Sequence, residues 1–225
     1  MPRSGKTTIL RNVIEAIGPR VGFLTEEVTE NGERVGFEVI THKGKRAMLA
    51  SIHSGSNLRV SRYGVMLEDF EKLIASLNKF SDKDTLYIDE IGQMELFSKA
   101  LRVLVTTYLD AENLFVGTIS KVYSDKFTED IKSRGDVVVI DVTSENREAK
   151  KRILRQLIWK VQKAKIYASK PELFTLVNGT IVMNAKHGEK TLRKKDNTWN
   201  CDCDFFKENH LCSHSLAALE LHPIK

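Results

Sequence analysis

Cysteine is scarce in this chain: among 225 residues there are three, all between positions 201 and 212. An odd number in so tight a cluster argues for metal coordination over a disulfide framework, with three buried or redox-inert cysteines as the bland alternative. Long apolar runs are missing too. No stretch approaches the ~18 apolar residues of a membrane span, and no charged, apolar and small-residue succession marks a signal peptide. A cytoplasmic protein is the default expectation. The third deficit is one glycine. Met1-Pro2-Arg3-Ser4-Gly5-Lys6-Thr7-Thr8 matches the phosphate-binding pattern G-x-x-x-x-G-K-[ST] in all but its first glycine, which would stand before Met1. Such a loop normally hangs from the C-terminal end of a buried parallel strand, and no residues before this loop could build that strand. Either a longer natural protein supplies it, or the nucleotide site is weakened.

What is present fits the loop. Its successive backbone N–H groups cradle phosphates, Lys6 reaches the β- and γ-phosphates, and the Thr7 hydroxyl can ligate Mg²⁺. Apolar residues at Ile9, Leu10, Val13, Ile14 and Ile17, closed by Gly18-Pro19, predict a helix opening at the loop. A turn that merely caps that helix is the bland alternative. Val21–Val28, Arg34–Ile40 and Ala47–Ile52, punctuated by Asn31-Gly32 and Lys43-Gly44, predict a β-meander. Beyond it, helices over Leu67–Leu77, Phe97–Leu109 and Asp125–Ser133 alternate with strand-like runs at Thr85–Ile88, Leu114–Ile119 and Val137–Val142. That alternation predicts an α/β fold with a mostly parallel sheet covered on both faces.

The strand-like run at Thr85–Ile88 ends in Asp89-Glu90, a Walker B pattern. There the first carboxylate holds Mg²⁺ and the second polarises the attacking water. An acidic strand end is common by chance, but paired with Gly5-Lys6-Thr7 at a helix start the two motifs support each other.

Charge is uneven. Residues 1–143 hold 19 Lys+Arg against 21 Asp+Glu, residues 171–225 hold 7 against 7, and residues 144–170 hold 9 against 2. The net charge of +5 therefore comes from Ser144–Lys170. There Leu154, Leu157, Ile158, Val161, Ala164 and Ala168 recur at helical spacing, so the segment reads as an amphipathic helix with a basic outer face. Phe174–Val177 and Thr180–Met183 bracket Asn178-Gly179 as a hairpin, and Ser215–Leu221 follows the cysteines as a short helix. The domains expected are residues 1–158 for the nucleotide domain, 159–172 for the helix end and linker, and 173–225 for a small ββα-like module.

The segment Asp89-Glu90-Ile91-Gly92-Gln93-Met94-Glu95-Leu96-Phe97-Ser98 closely resembles the hallmark of the THEP1-type nucleoside-triphosphatases. Gly22-Phe23-Leu24-Thr25-Glu26-Glu27-Val28, Arg34-Val35-Gly36-Phe37, Arg62-Tyr63-Gly64-Val65, Gly117-Thr118-Ile119 and Val142-Thr143-Ser144-Glu145-Asn146-Arg147 resemble further family segments in order, over roughly residues 1–150. The resemblance implies a RecA-like P-loop fold and Mg²⁺-dependent hydrolysis of ATP, GTP and related triphosphates with loose base selectivity. By motif position, Arg3, Ser4, Gly5, Lys6, Thr7 and Thr8 would bind nucleotide, Thr7 and Asp89 would serve Mg²⁺, and Lys6 and Glu90 would be catalytic. Gln93 departs from the Lys common at that place. A non-catalytic binding protein with a degenerate nucleotide site is the competing reading.

Cys201-x-Cys203-x8-Cys212-x-His214 resembles the zinc-binding SWIM pattern C-x-C…C-x-H. Four such ligands fit a closed, structural Zn²⁺ site. His210, two residues before Cys212, is the competing fourth ligand. SWIM modules in general serve DNA or protein partners, so the resemblance implies an interaction role beside the basic helix.

Overall fold

The computed structural model describes residues 5–195 and 198–224. It divides into two compact units, one built from residues up to Thr128 with Val142–Arg147, the other from Glu129–Asp141 with the residues from Glu148 onward. Each is described by itself.

The first unit opens with helix α1 (Lys6–Ile14), followed by strands β1 (Arg20–Glu30), β2 (Glu33–Thr41), β3 (Arg46–Ser51), β4 (Arg59–Val60) and β5 (Tyr63–Val65). Helix α2 (Leu67–Ala75), strand β6 (Thr85–Ile91), helix α3 (Lys99–Asp110), strand β7 (Phe115–Ile119) and the first turn of helix α4 (Lys126–Ser133), whose residues from Glu129 belong to the second unit, complete the series. The sheet order is β4-β5-β3-β2-β1-β6-β7. Its parallel part is β1-β6-β7, and its antiparallel part is the expected meander. The β1–β2 hairpin closes on Asn31 and Gly32, both with positive φ, as a two-residue turn between twisted strands requires.

Strand β6 is buried along nearly its whole length, which is why Thr-Leu-Tyr-Ile reads as a continuous β-rich run without alternation. β1 approaches it closely. Gly22 pairs with Tyr87, and a Cβ on Gly22 would stand 1.8 Å from the Tyr87 carbonyl oxygen, so no other residue fits there. Each covering helix buries one stripe: Ile9, Leu10, Val13 and Ile14 on α1, Phe70, Leu73 and Ile74 on α2, Leu101, Leu104, Val105 and Tyr108 on α3. Phe23 of β1 meets Phe70 edge to face at 5.9 Å, and the Tyr108 hydroxyl donates to the Leu77 carbonyl at 3.0 Å.

The run Val137–Val142 forms no strand. A parallel strand exists only where a neighbour takes its N–H and C=O groups, and among the described residues β7 is the last strand on its side of the sheet. Composition predicts an extended run there; pairing decides that it is not a strand.

The second unit contains helix α5 (Arg147–Ala168, apart from its first residue), strands β8 (Phe174–Val177), β9 (Thr180–Ala185), β10 (Gly188–Lys195) and β11 (Thr198–Cys201), then helices α6 (Asp204–Asn209) and α7 (Ser213–Leu221). The four strands form an antiparallel sheet in the order β11-β10-β9-β8. The hairpin at Asn178-Gly179 is the one anticipated. β10 and β11 are additional, and the positive φ of Gly188 makes the turn into β10. The core joins Phe174, Ile181, Met183, Leu192, Trp199 and Phe206 to the last turns of α5. The Trp199 indole N–H, buried with its ring, donates to the His222 carbonyl at 2.9 Å.

Candidate functional site

Gly5 stands immediately before α1 with φ 89° and ψ 12°, and its carbonyl accepts the first helical hydrogen bond, from the Ile9 N–H at 2.9 Å. A left-handed glycine at this point turns the chain so that the free N–H groups of the first helical turn face outward, the arrangement that receives an anion. Lys6 and Thr7 follow in that first turn. β6 ends beside them. The Lys6 Nζ lies 3.3 Å from the Glu90 Oε1, both side chains being half-buried. Thr7 hydrogen-bonds to the Asp89 carboxylate, which also accepts from the Thr118 hydroxyl of β7. Thr25 of β1 donates to the Asp89 carbonyl. Three strands and a helix start therefore converge on Asp89-Glu90. Thr8, one residue further on, is exposed. Arg3 and Ser4 lie outside the described residues.

Carboxyl groups are concentrated here. Asp89 is only 1% exposed; burial pushes its carboxyl up, the hydroxyls of Thr118 and Thr7 pull it back, and the neighbouring Glu90 charge adds to the rise. Glu95, which motif reading names only as part of a family segment, is a third member. It is buried, and a Cβ placed on Gly92 would lie 3.0 Å from its Oε2 and 3.5 Å from the Glu90 Oε1. Burial raises Glu95 to about 8; its own backbone N–H and that of Gly92 oppose the rise, and Glu90 and Asp89 add to it. Asp89 and Glu90 stand beside the Lys6 ammonium, and burial keeps Glu95 protonated near neutral pH. Oxygen donors on Thr7 and Asp89, already touching, suit a hard divalent cation such as Mg²⁺. Gln93 is exposed.

Arg147, too, is named by motif reading only as the end of a family segment. Its side chain crosses Gly5, with Cδ 3.5 Å from where a Cβ would be. The loop glycine thus touches a cationic side chain 142 positions away, which no local periodicity reveals.

The second cluster is Cys201, Cys203, Cys212 and His214, whose ligand atoms all lie within 4.8 Å of one another. His214 Nδ1 is 3.6 Å from the Cys201 sulfur and 3.7 Å from that of Cys212. Tetrahedral Zn²⁺ with Zn–S bonds of ~2.3 Å needs sulfurs roughly 3.8 Å apart, so the set fits zinc without large movement. β11 ends at Cys201, and Cys203 stands at the start of α6, so a strand end and a helix start present the first pair. Cys212 caps α7: its sulfur accepts from the Ser215 N–H at 3.4 Å while its own N–H donates to the Ser215 hydroxyl at 3.1 Å. Hydrogen bonding from the Cys201 thiol, helped by His214 and Ser215, draws Cys212 down to about 3, and the same bond drives Cys201 upward. One sulfur is thus an anion at its neighbours' expense, a conflict that a divalent metal removes by taking all three as thiolates. Tyr167 of α5 stacks on the His214 ring at 5.5 Å and orients it. His210 is the left-handed residue ending α6, exposed and outside the cluster.

Residues 1–155 match the family model described as NTPase, and residues 180–222 match that of the SWIM zinc finger. The nucleoside-triphosphatase THEP1 of Thermotoga sp. (strain RQ2) is 41% identical over 150 residues, spanning 66% of this chain and 86% of the relative. The human cancer-related nucleoside-triphosphatase is 35% identical over 164 residues, 65% of this chain and 86% of its own length. The crystal structure of THEP1 from the hyperthermophile Aquifex aeolicus is similar to 69% of this chain and 94% of its own, with a TM-score of 0.63 at 34% identity. The solution structure of a human cancer-related nucleoside triphosphatase gives a TM-score of 0.61 at 33% identity over 70% of this chain and 93% of its own.

Proposed function

Because the chain belongs to the THEP1-type nucleoside-triphosphatase family and carries a SWIM zinc finger, we propose that its nucleoside-triphosphatase activity uses Mg²⁺ and the α1–β6 junction, with loose selectivity among ATP, GTP and related triphosphates. The observation that carries this reading is the meeting of Lys6 with Glu90 and of Thr7 with Asp89 across a sequence gap of more than 80 residues. Bound at Thr7 and near Asp89, Mg²⁺ would supply positive charge to the β- and γ-phosphate oxygens. The N–H groups of Gly5, Lys6, Thr7 and Thr8, continuing the loop from Arg3 and Ser4, hold the phosphates. Lys6 exchanges its Glu90 partner for the γ-phosphate, which frees the Glu90 carboxylate to orient a water and take its proton. The water oxygen bonds to the γ-phosphorus, the bond to the β–γ bridging oxygen breaks, and nucleoside diphosphate and inorganic phosphate leave. Arg147, beside Gly5, adds a cation at the loop.

The matched spans 1–155 and 180–222 support a nucleotide domain over 1–158, a helix end and linker over 159–172 and a zinc module over 173–225, with α5 from Glu148 onward packed into the second compact unit. Cys201, Cys203, Cys212 and His214 hold a structural Zn²⁺ that ties α6 and α7 to β11, and the unit presents a macromolecular interaction surface. Three free cysteines arranged as metal ligands suit the reducing cytoplasm. Among the described residues no helix is long and apolar enough to cross a membrane. Steady-state phosphate release with four nucleoside triphosphates tests the enzyme assignment. Activity should depend on Mg²⁺ and vary little with the base. Equal rates in the wild type and a Lys6→Ala, Glu90→Gln double variant would refute it.

A further inference from the structure

The first half of α5 and the start of α6 enclose a groove of about 650 Å³ that the nucleotide chemistry does not use. Lys151, Arg152, Arg155 and Lys160 line it, with Trp159 and Phe205, and Glu148 is its one acid. On α5 Glu148, Arg152, Arg155 and Trp159 occupy the side opposite the buried Leu157, Ala164 and Ala168, and Lys151 and Lys160 flank them. Among the described residues none of Lys151, Arg152 and Arg155 is ion-paired, so their charge is unspent. Trp159 is 73% exposed, an unusual position for the largest apolar side chain. Across from it the Lys160 ammonium stands 4.3 Å from the centroid of the Phe205 ring.

We propose that this groove binds single-stranded nucleic acid, with Arg152, Arg155 and Lys151 on phosphates and Trp159 stacked on an unpaired base. The proposal rests on the reading of the zinc-supported unit as an interaction module, since Phe205 lies two residues after Cys203. Three unpaired cations beside the exposed Trp159 ring, with Phe205 under the Lys160 ammonium across the channel, meet both needs of a single strand, a charge track for the backbone and a flat apolar surface for bases. A paired base in a duplex hides its faces and leaves the indole without a partner. An acidic peptide would satisfy the cations alone. The volume falls within the ~300–1,000 Å³ of sites that bury a ligand of nucleotide size.

The test uses the full zinc-bound chain with a mixed-sequence single-stranded oligonucleotide, the same sequence as duplex, and heparin. Single strands should bind best and quench tryptophan emission, because Trp159 is exposed and the only other tryptophan, Trp199, is buried. The logarithm of the affinity should fall with that of salt at a slope of about −0.7 per phosphate contacted. Arg152→Ala with Arg155→Ala should flatten that slope. Trp159→Ala should weaken binding roughly tenfold and leave the slope and the triphosphatase rate unchanged. Duplex preferred over single strand, heparin equal to the oligonucleotide with Trp159→Ala binding as wild type, or no oligonucleotide binding by a chain of normal zinc content would each overturn the proposal. The last leaves the interaction-module reading standing. Single-strand binding that survives loss of zinc in Cys212→Ser supports the groove and removes the zinc module from its support.

Discussion

Glu95 offers the sharpest link between the acidic cluster and a measurable stability. Its carboxyl is enclosed beside Glu90 and moves from an ordinary 4.5 to about 8, burial being the main cause. Between those two values the folded chain holds a proton that the unfolded chain has released, so stability falls as pH rises through the interval. It is whole below 4.5 and gone above about 8. One such proton gives a slope of up to about 1.4 kcal/mol per pH unit, or roughly 3 kcal/mol between pH 5.5 and 7.5. Glu95→Gln keeps the shape and an acceptor for the Gly92 N–H and abolishes the titration. Urea unfolding followed by far-ultraviolet circular dichroism, at several pH values in Mg²⁺-free buffer, measures the difference. Trp159 and Trp199 both lie in the second unit, so tryptophan emission recorded in parallel identifies that unit's share of the transition. The variant should gain on the wild type as pH rises, because titrations remote from the Glu95 cluster cancel between the two chains. Curves that stay parallel from pH 5.5 to 7.5 would refute a protonated, buried Glu95.

Other outcomes follow from the same geometry. Gly22→Ala drives a methyl into the Tyr87 carbonyl and should cost roughly 3 kcal/mol of the first unit's stability, read as a lower urea midpoint. Metal analysis of purified chain should find about one Zn²⁺ per molecule, lost together with the second unit's near-ultraviolet signal in a Cys203→Ser, Cys212→Ser variant. Arg147→Ala should lower kcat/KM for triphosphate about tenfold, one charge-assisted contact's worth, with the fold intact. Phe23→Ala, at a fully buried position, should cost about 3–5 kcal/mol.

The segment from Asp89 to Ser98, the loop from Arg3 to Thr8 and the Cys-x-Cys…Cys-x-His spacing are local patterns. Chemistry of this kind demands particular residue types at fixed short offsets, so the sequence alone assigns the family resemblance, the phosphate loop and the four zinc ligands. Helices with a clean apolar stripe, such as α3, and the Asn-Gly turns are legible for the same reason: period and turn conformation are properties of a few neighbouring residues. The tertiary structure alone decided the rest. Val137–Val142 looks like a strand and is not, because pairing is supplied by a distant neighbour. Glu95 and Arg147 matter through enclosure and through contact with residues far along the chain. Trp159 and Phe205 come to line one basic groove although 46 positions separate them. Each of these is a matter of what lies across a gap in space, and desolvation and proximity of that kind leave no periodic trace in the order of residues.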